Sequence, residues 1–271
     1  MRPARAPEEA LPRRSAHWVR FFGAVMAREV RTSFHALRIA RAGWPQLPQH
    51  TAVVAYCNHP SWWDAAVLPV LATRLFAERC SFGPIDAQAL RKYSFMERIG
   101  FFPVEQASWA GSARFLRTGR ALLARPDTLL WITPEGGFTD PRRRPVVLRP
   151  GLAALLARSP AAVALPMALE YPFWTERTPE ALVRFGAPVS AARLAGRTQP
   201  EIQAVLEHAL ADTMDALAID AIAKDEARFT TLIEGSAGIG GVYDGWRRLT
   251  AWSRGERFDA AHGTGPTEKT K

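Results

Sequence analysis

A histidine and an aspartate stand close together in the stretch VVAYCNHPSWWDAAVL, where an apolar run ends at Asn58. His59 comes next, and Asp64 follows it after four intervening residues. Residues five positions apart lie on different faces of a continuous helix, so the pair can meet only if His59 precedes the helix and Asp64 lies in its first turns. Pro60 favours this arrangement, because proline suits the first position of a helix. A carboxylate that fixes the tautomer of an imidazole makes the histidine a general base, able to remove a proton from a hydroxyl group.

The segment WITPEGGFTD supplies a second group of candidate site residues. An apolar run leads into Pro134, Glu135 and Gly136, which predicts a strand followed by a sharp turn with a carboxylate at its tip. Parallel sheets bind ligands at the carboxyl ends of their strands, which is also where His59 is expected. We therefore predict that this turn shapes a substrate site beside His59. Asn58 and nearby backbone amides are candidate donors to an oxyanion.

The loop DPRRRP follows this turn and carries Arg142, Arg143 and Arg144. Guanidinium groups pair well with phosphates, so these residues are candidates for binding the phosphates of a donor substrate or of lipid head groups. A solvated turn would have the same composition, and the sequence leaves both interpretations open. The sequence also leaves open the role of Trp62 and Trp63. Their rings could line a lipid entrance or pack against the sheet.

Periodic patterns predict the elements that must position these groups. Apolar runs bounded by turn residues predict buried strands near residues 51–57, 128–133, 162–171 and 181–186. Amphipathic or capped segments predict helices near residues 61–78, 86–98, 107–125 and 198–227. Strands that alternate with helices indicate an α/β fold with a mostly parallel sheet flanked by helices.

Positive charge is concentrated at the start of the sequence. Residues 1–42 contain nine arginines and three glutamates, or +6 of the total formal charge of +9. Apolar residues from Trp18 to Trp44 recur among these arginines at spacings near three and four, which predicts a basic amphipathic helix. Such a helix suits an anionic membrane surface, and packing on its own domain would give the same pattern. We divide the chain into a disordered start with a membrane-docking helix at 1–44, a catalytic domain at 45–230 and a C-terminal tail at 231–271.

The motifs of several other functional classes are missing from the sequence. It has no helix-turn-helix or RNA-binding signature that would make nucleic acid a partner, and no Gly-x-Ser-x-Gly elbow of a hydrolase. No His-Glu-x-x-His or Cys-x-x-Cys spacing indicates a metal. Cys57 and Cys80 are too few for a disulfide framework and favour a reducing compartment. Without an apolar run of about 18 residues or a signal peptide, we expect a peripheral protein on the cytoplasmic side of a membrane.

Together these segments resemble the motifs of the lysophospholipid acyltransferase family, which includes the 1-acylglycerol-3-phosphate O-acyltransferases. The matching residues are Asn58, His59 and Asp64 for the first motif, Pro134, Glu135 and Gly136 for the third, and Leu165, Pro166 and Met167 for the fourth. The resemblance implies a mostly parallel sheet, an N-terminal membrane-docking segment, and no metal or cofactor. It also implies O-acyl transfer from acyl-CoA or acyl carrier protein to a lipid hydroxyl, with His59 as the general base held by Asp64.

The chain departs from this family pattern at two arginines. The second motif usually carries one shortly after its glycine, where this chain has Glu105 and Gln106, and the third usually carries one where this chain has Phe138. Those arginines are expected to hold the phosphate of the acceptor, so we hypothesise an acceptor other than simple lysophosphatidic acid, such as a glycolipid or another membrane alcohol. The adjacent loop arginines or Arg149 would restore a phosphate site. The remaining alternative is a non-catalytic, membrane-binding scaffold with the same fold.

Overall fold

The computed structural model describes residues 11–105 and 108–235 of the chain. Its strands are β1 (Ala36–Ala40), β2 (Val53–Cys57), β3 (Cys80–Asp86), β4 (Phe101–Val104), β5 (Thr128–Ile132), β6 (Val163–Glu170), β7 (Glu180–Phe185), β8 (Val189–Ser190) and β9 (Phe229–Glu234). Its α-helices are α1 (Ala16–Ser33), α2 (Asp64–Arg74), α3 (Ala87–Lys92), α4 (Trp109–Leu123), α5 (Gly151–Leu156) and α6 (Gln199–Ala223). Short 3-10 turns lie at Arg41–Gly43, Ser94–Arg98, Ala191–Leu194 and Glu226–Arg228.

The strands of these described residues form one nine-stranded sheet in the order β4-β3-β5-β2-β6-β7-β1-β9, with β8 paired to β6. Strands β4, β3, β5, β2 and β6 run parallel to one another. Beyond them, β7 is antiparallel to β6, β1 is parallel to β7, and β9 is antiparallel to β1. The predicted α/β fold with a mostly parallel sheet is confirmed. Its central consequence is that the carboxyl ends of β2, β5 and β6 meet at the same edge.

Helices cover both faces of the sheet. Residues of α1 and α2 pack on one face, and residues of α4, α5 and α6 pack on the other. All five residues of β2 are buried, because each face of this central strand meets a layer of apolar side chains. Each fully buried large aliphatic side chain contributes about 1.5–3 kcal/mol to stability. The edge at which β2, β5 and β6 end is therefore supported by a closely packed core.

The predicted basic helix is shorter than expected. It ends at Ser33, and residues 36–40 form β1 instead, between β7 and β9. Arg38, which we assigned to the basic membrane-docking helix, is buried in that strand and donates a 2.9 Å hydrogen bond to Glu180. The expected tail boundary at 231 likewise falls inside β9. The remainder of the predicted tail, from 236 onward, lies outside the described residues, as do residues 1–10 of the predicted disordered start.

Helix α1 has a packed face and an exposed face. Gly23 crosses α2 so closely that a Cβ there would lie 2.6 Å from the side chain of Thr73. The exposed face combines large apolar side chains, Phe21 and Val25, with three arginines. Those arginines are Arg20, Arg28 and Arg31. One part of the apolar periodicity thus packs on α2 and another part faces outward, and membrane docking stays a prediction. No helix among the described residues is long and apolar enough to cross a membrane.

Candidate active site

The side chains of His59 and Asp64 meet at the carboxyl end of β2. His59 lies before α2, as predicted, although that helix begins at Asp64 rather than at Pro60. His59 Nδ1 lies 2.6 Å from Asp64 Oδ2, and the side chains are 25% and 1% exposed. An ionised carboxylate can only accept hydrogen bonds, so Nδ1 carries the proton and Nε2 is the basic nitrogen. The buried carboxylate therefore orients an imidazole that substrate can reach.

Glu135 holds the backbone of His59 rather than its ring. Its Oε2 accepts the His59 N–H at 2.7 Å, and the Thr139 N–H donates to the His59 carbonyl at 2.9 Å. Both residues follow β5, which pairs directly with β2. Burial raises the pKa of Glu135, and the hydrogen bond from His59 partly opposes that rise. The turn after β5 thus fixes the position from which the imidazole projects.

Gly136 adopts a conformation that other residues rarely take, with φ at +75°. A Cβ at this position would lie 2.0 Å from Arg149 Nε, so the turn also needs glycine for space. The Arg149 N–H donates to the Pro134 carbonyl at 2.8 Å, and Arg149 Nη2 donates to the Gly136 carbonyl at 3.3 Å. The guanidinium of Arg149 therefore lies directly on the turn that carries Glu135.

Asn58 joins two strands at the point where β2 leaves the sheet. Its Oδ1 accepts the Leu169 N–H at 2.8 Å, and its Nδ2 donates to the Leu169 carbonyl at 3.0 Å. The side chain is 1% exposed and takes the place of one more backbone pair between β2 and β6. The observed contacts are structural, and the expected role of Asn58 as a donor to substrate stays a prediction.

Comparison with known proteins gives a family match and a similarity to a solved structure. Residues 38–170, which include His59, Asp64 and Glu135, match the family model described as Acyltransferase. This segment belongs to the acyltransferase family. A solved structure of the 1-acyl-sn-glycerophosphate (LPA) acyltransferase PlsC from Thermotoga maritima is 11% identical in sequence, with a TM-score of 0.48. That similarity covers 75% of this chain and 79% of the PlsC chain. No curated protein matches the chain significantly.

The arginine-rich loop of this acyltransferase is largely engaged with carboxylates. Arg142 pairs with Asp140, and Arg144 pairs with Asp215 of α6. The positive charge of Arg143 acts on Glu135 and lowers the pKa of that carboxyl, against the larger effect of burial. Arg143 is thus the loop arginine with an electrostatic influence on the site. Phosphate binding by all three arginines stays a prediction.

An exposed aromatic ring contacts the imidazole of the acyltransferase, and other exposed rings follow β2 and β6. Phe138 is 64% exposed, and its ring lies 4.5 Å from the His59 ring between centroids. Trp62 and Phe173 are similarly exposed, and Trp62 packs edge-on against Trp63. Trp63 packs in turn on the core through Phe34. The two tryptophans therefore take different roles, one facing outward and the other packing inward.

Sequence reasoning missed one residue that contacts the acyltransferase site. The hydroxyl of Tyr171 donates to Asp64 Oδ1 at 2.6 Å. Tyr171 immediately follows β6 and is the last residue of the strand that we predicted, so its place at the carboxyl edge of the sheet was the available signal. Gln106, at the position of the missing motif arginine, lies outside the described residues. Among the described residues, no group of three His, Cys, Asp or Glu side chains could hold a metal ion.

Replacing Glu135 with glutamine is expected to stabilise the acyltransferase more at neutral pH than at acidic pH. Because burial raises the pKa of Glu135, folding favours its protonated form. The stability that the protonated form of Glu135 contributes is present at low pH. It is lost as the pH rises through the folded-state pKa of this residue. Glutamine keeps an oxygen that accepts the His59 N–H and carries no charge to bury. Thermal unfolding should give a difference in Tm between the variant and the wild type that grows from about pH 4 to about pH 7.

The exposed Glu78→Gln variant controls for the loss of one negative charge. Other buried glutamates, such as Glu180, are present in all three proteins and cancel in the comparison. A difference in Tm that stays constant or shrinks with rising pH would contradict this account of Glu135.

Proposed function

We propose that the protein transfers a fatty acyl chain from an acyl thioester to a hydroxyl group of a lipid acceptor. The observation that carries the proposal is the contact between His59 Nδ1 and the buried carboxylate of Asp64 at the carboxyl edge of the sheet. Because this contact holds the proton on Nδ1, Nε2 is the basic nitrogen. His59 and Asp64 both lie within the segment that matches the acyltransferase family.

In the proposed reaction, His59 Nε2 takes the proton from the acceptor hydroxyl. The acceptor oxygen then attacks the carbonyl carbon of the thioester and forms a tetrahedral oxyanion. When this intermediate collapses, an ester C–O bond is kept and the C–S bond breaks. The imidazolium returns its proton to the departing thiolate, so His59 ends the cycle as it began, with Asp64 stabilising the transient positive charge.

The donor is acyl-CoA or an acyl carrier protein, and both carry phosphate groups. Arg143 and Arg149 are exposed and lie close to the turn that bears Glu135. Arginine pairs with phosphate by charge and by two parallel hydrogen bonds. These residues support a phosphate site beside the base, and either the donor or a phosphorylated acceptor could supply its ligand.

The proposed location is the cytoplasmic face of a membrane. On α1, Phe21 and Val25 are exposed beside three arginines, which suits an interface between acyl chains and anionic head groups. Each basic residue near such a surface contributes about 1 kcal/mol to binding at low salt. The exposed ring of Phe138, which contacts His59, offers apolar surface at the site itself.

Phe138 supports an acceptor that lacks a phosphate group beside the reacting hydroxyl. Its ring covers His59 at the position where the resemblance to the family predicts a phosphate-binding arginine. An aromatic ring cannot pair with a phosphate, and it packs well on the apolar part of a lipid. A glycolipid or another uncharged membrane alcohol therefore fits this side of the site better than lysophosphatidic acid.

Replacing Phe138 with arginine is expected to shift acceptor preference toward phosphorylated lipids. A charge-assisted hydrogen bond is worth about 1.5–3 kcal/mol, which predicts an increase of about 10- to 100-fold in the relative kcat/KM. The ratio to measure is kcat/KM for lysophosphatidic acid over kcat/KM for monoacylglycerol. Ile219→Arg is the matched control, because Ile219 is as exposed as Phe138 and lies on α6 rather than after a strand of the site. An unchanged ratio, or a wild type that already prefers lysophosphatidic acid strongly, would contradict the assignment.

Transfer of labelled palmitate from palmitoyl-CoA into a total lipid extract tests the function directly, with products identified by mass. A new acylated lipid that appears only with active protein would establish the reaction and name the acceptor. Palmitoyl acyl carrier protein should be tested in parallel. Vesicles of anionic and zwitterionic lipid test the membrane part, with salt-sensitive binding to the anionic vesicles expected. Membrane binding without transfer from either donor to any lipid would favour the scaffold alternative.

A further inference from the structure

We infer that Tyr171 is a positioning residue that acts on His59 through Asp64. Its importance for catalysis rests on the proposed role of His59 as the general base. The contacts between the three side chains are a property of the structure, and the effect of Tyr171 on His59 can be tested without any substrate.

The two oxygens of the Asp64 carboxylate have different partners. Oδ2 lies 2.6 Å from His59 Nδ1, and Oδ1 accepts the hydroxyl of Tyr171 at 2.6 Å. The side chain is almost fully buried, so each oxygen depends on its partner in place of water. Two partners in fixed positions also set the rotation of the carboxylate. Tyr171 thereby decides which oxygen faces the imidazole and at what angle.

Tyr171 is itself held in place by packing. Its ring lies 5.5 Å from the ring of Phe34, which packs in turn on Trp63 at 4.9 Å. Burial and the negative charge of Asp64 raise the pKa of Tyr171 well above its ordinary value, so the hydroxyl keeps its proton and remains a donor. The chain reaches this place directly from the end of β6.

The hydroxyl also affects how strongly His59 holds a proton. A hydrogen bond donated to a carboxylate disperses part of its negative charge, which leaves less to stabilise a neighbouring imidazolium. Without that bond, Asp64 should favour the charged form of His59 more strongly. The other ionisable groups around the pair are Glu135, Cys57 and Arg143. Glu135 accepts the His59 N–H, the charge of Glu135 acts on Cys57, and the charge of Arg143 acts on Glu135. All of them remain when Tyr171 is changed.

The test compares Tyr171→Phe with Tyr56→Phe. Tyr56 is buried, and its hydroxyl donates to the Leu206 carbonyl at 3.1 Å, toward α6 and away from Asp64. Each variant keeps the aromatic ring and loses one hydrogen-bonded hydroxyl. Protein labelled with ¹⁵N-histidine is titrated by NMR, and the signals of His59, one of six histidines, are identified by their loss in His59→Ala.

The titration midpoint of His59 is expected to rise by about half a pH unit or more in Tyr171→Phe and to stay in place in Tyr56→Phe. Thermal stability should fall by a similar amount in both variants, so that a loss of stability alone does not explain the difference. An unchanged midpoint in Tyr171→Phe, or the same shift in both variants, would overturn the inference.

Enzyme kinetics provide a separate measurement. In Tyr171→Phe, kcat should fall about tenfold with little change in KM, and the acidic limb of the pH profile should move to higher pH. A fall in kcat without movement of that limb would contradict the inference. If the wild type transfers no acyl chain, the proposed function fails, and the NMR comparison still decides whether Tyr171 is coupled to His59.

Discussion

Replacing His59 with alanine is expected to lower kcat for acyl transfer by about 10³-fold, with a small change in KM. General base catalysis contributes about 10²- to 10⁴-fold, and the same imidazole also returns the proton to the thiolate. The fold should survive, because Glu135 and Thr139 hold residue 59 through its backbone N–H and carbonyl. Release of free thiol from palmitoyl-CoA, followed with the acceptor that the lipid extract identifies, gives the initial rates.

His208→Ala is the matched control for this substitution. His208 forms a second histidine–aspartate pair, with Asp212 on α6, but its side chain is 80% exposed and it is far along the chain from the site. Its loss should leave kcat unchanged. Vesicle binding of His59→Ala should equal that of the wild type, which separates catalysis from docking. Full activity in His59→Ala would refute the proposed mechanism.

Replacing Asn58 with alanine is expected to lower the free energy of unfolding by about 2–4 kcal/mol. The change removes both partners of the Leu169 backbone and leaves a buried N–H and a buried carbonyl unsatisfied. Each such group costs about 1–3 kcal/mol. Urea unfolding followed by circular dichroism gives the midpoint and the slope from which this free energy is obtained.

Gln199→Ala is the comparison for Asn58→Ala. The amide of Gln199 is exposed and makes one 3.3 Å contact with the Pro150 carbonyl, so its removal should change stability by less than about 0.5 kcal/mol. If Asn58→Ala were as stable as the wild type and lost only activity, the side chain would belong to substrate binding after all. That result would restore the role that the sequence suggested.

The centre of the fold was predictable because its strands are buried on both faces. Strands β2, β5 and β6 are short, continuously apolar runs that end in turn residues, and the expected segments contain them. The meeting of His59 with Asp64 followed from the same logic, since a strand end and a helix start can bring residues together that a single helix would separate. These features depend on local pattern, which a sequence carries directly.

The edge of the sheet was not predictable in the same way. Strand β1 contains Arg38, and its apolar residues continue the spacing of α1, so local pattern favoured a longer helix. The strand forms because β7 and β9 pair with it and because Glu180 neutralises the arginine. Partners 142 residues apart in sequence decide that outcome, and no local window contains both. The contact between Tyr171 and Asp64 escaped prediction for the same reason.

The way in which residue 59 is anchored has an evolutionary consequence. The two hydrogen bonds that fix its position use only the main-chain atoms of residue 59 itself, so they would form with almost any side chain there. A gene copy that loses the imidazole would therefore still encode a stable protein with the same surface. Natural selection could convert such a copy into a non-enzymatic relative by a single codon change, without passing through an unfolded intermediate. Catalysis in this architecture is easy to lose while the fold persists.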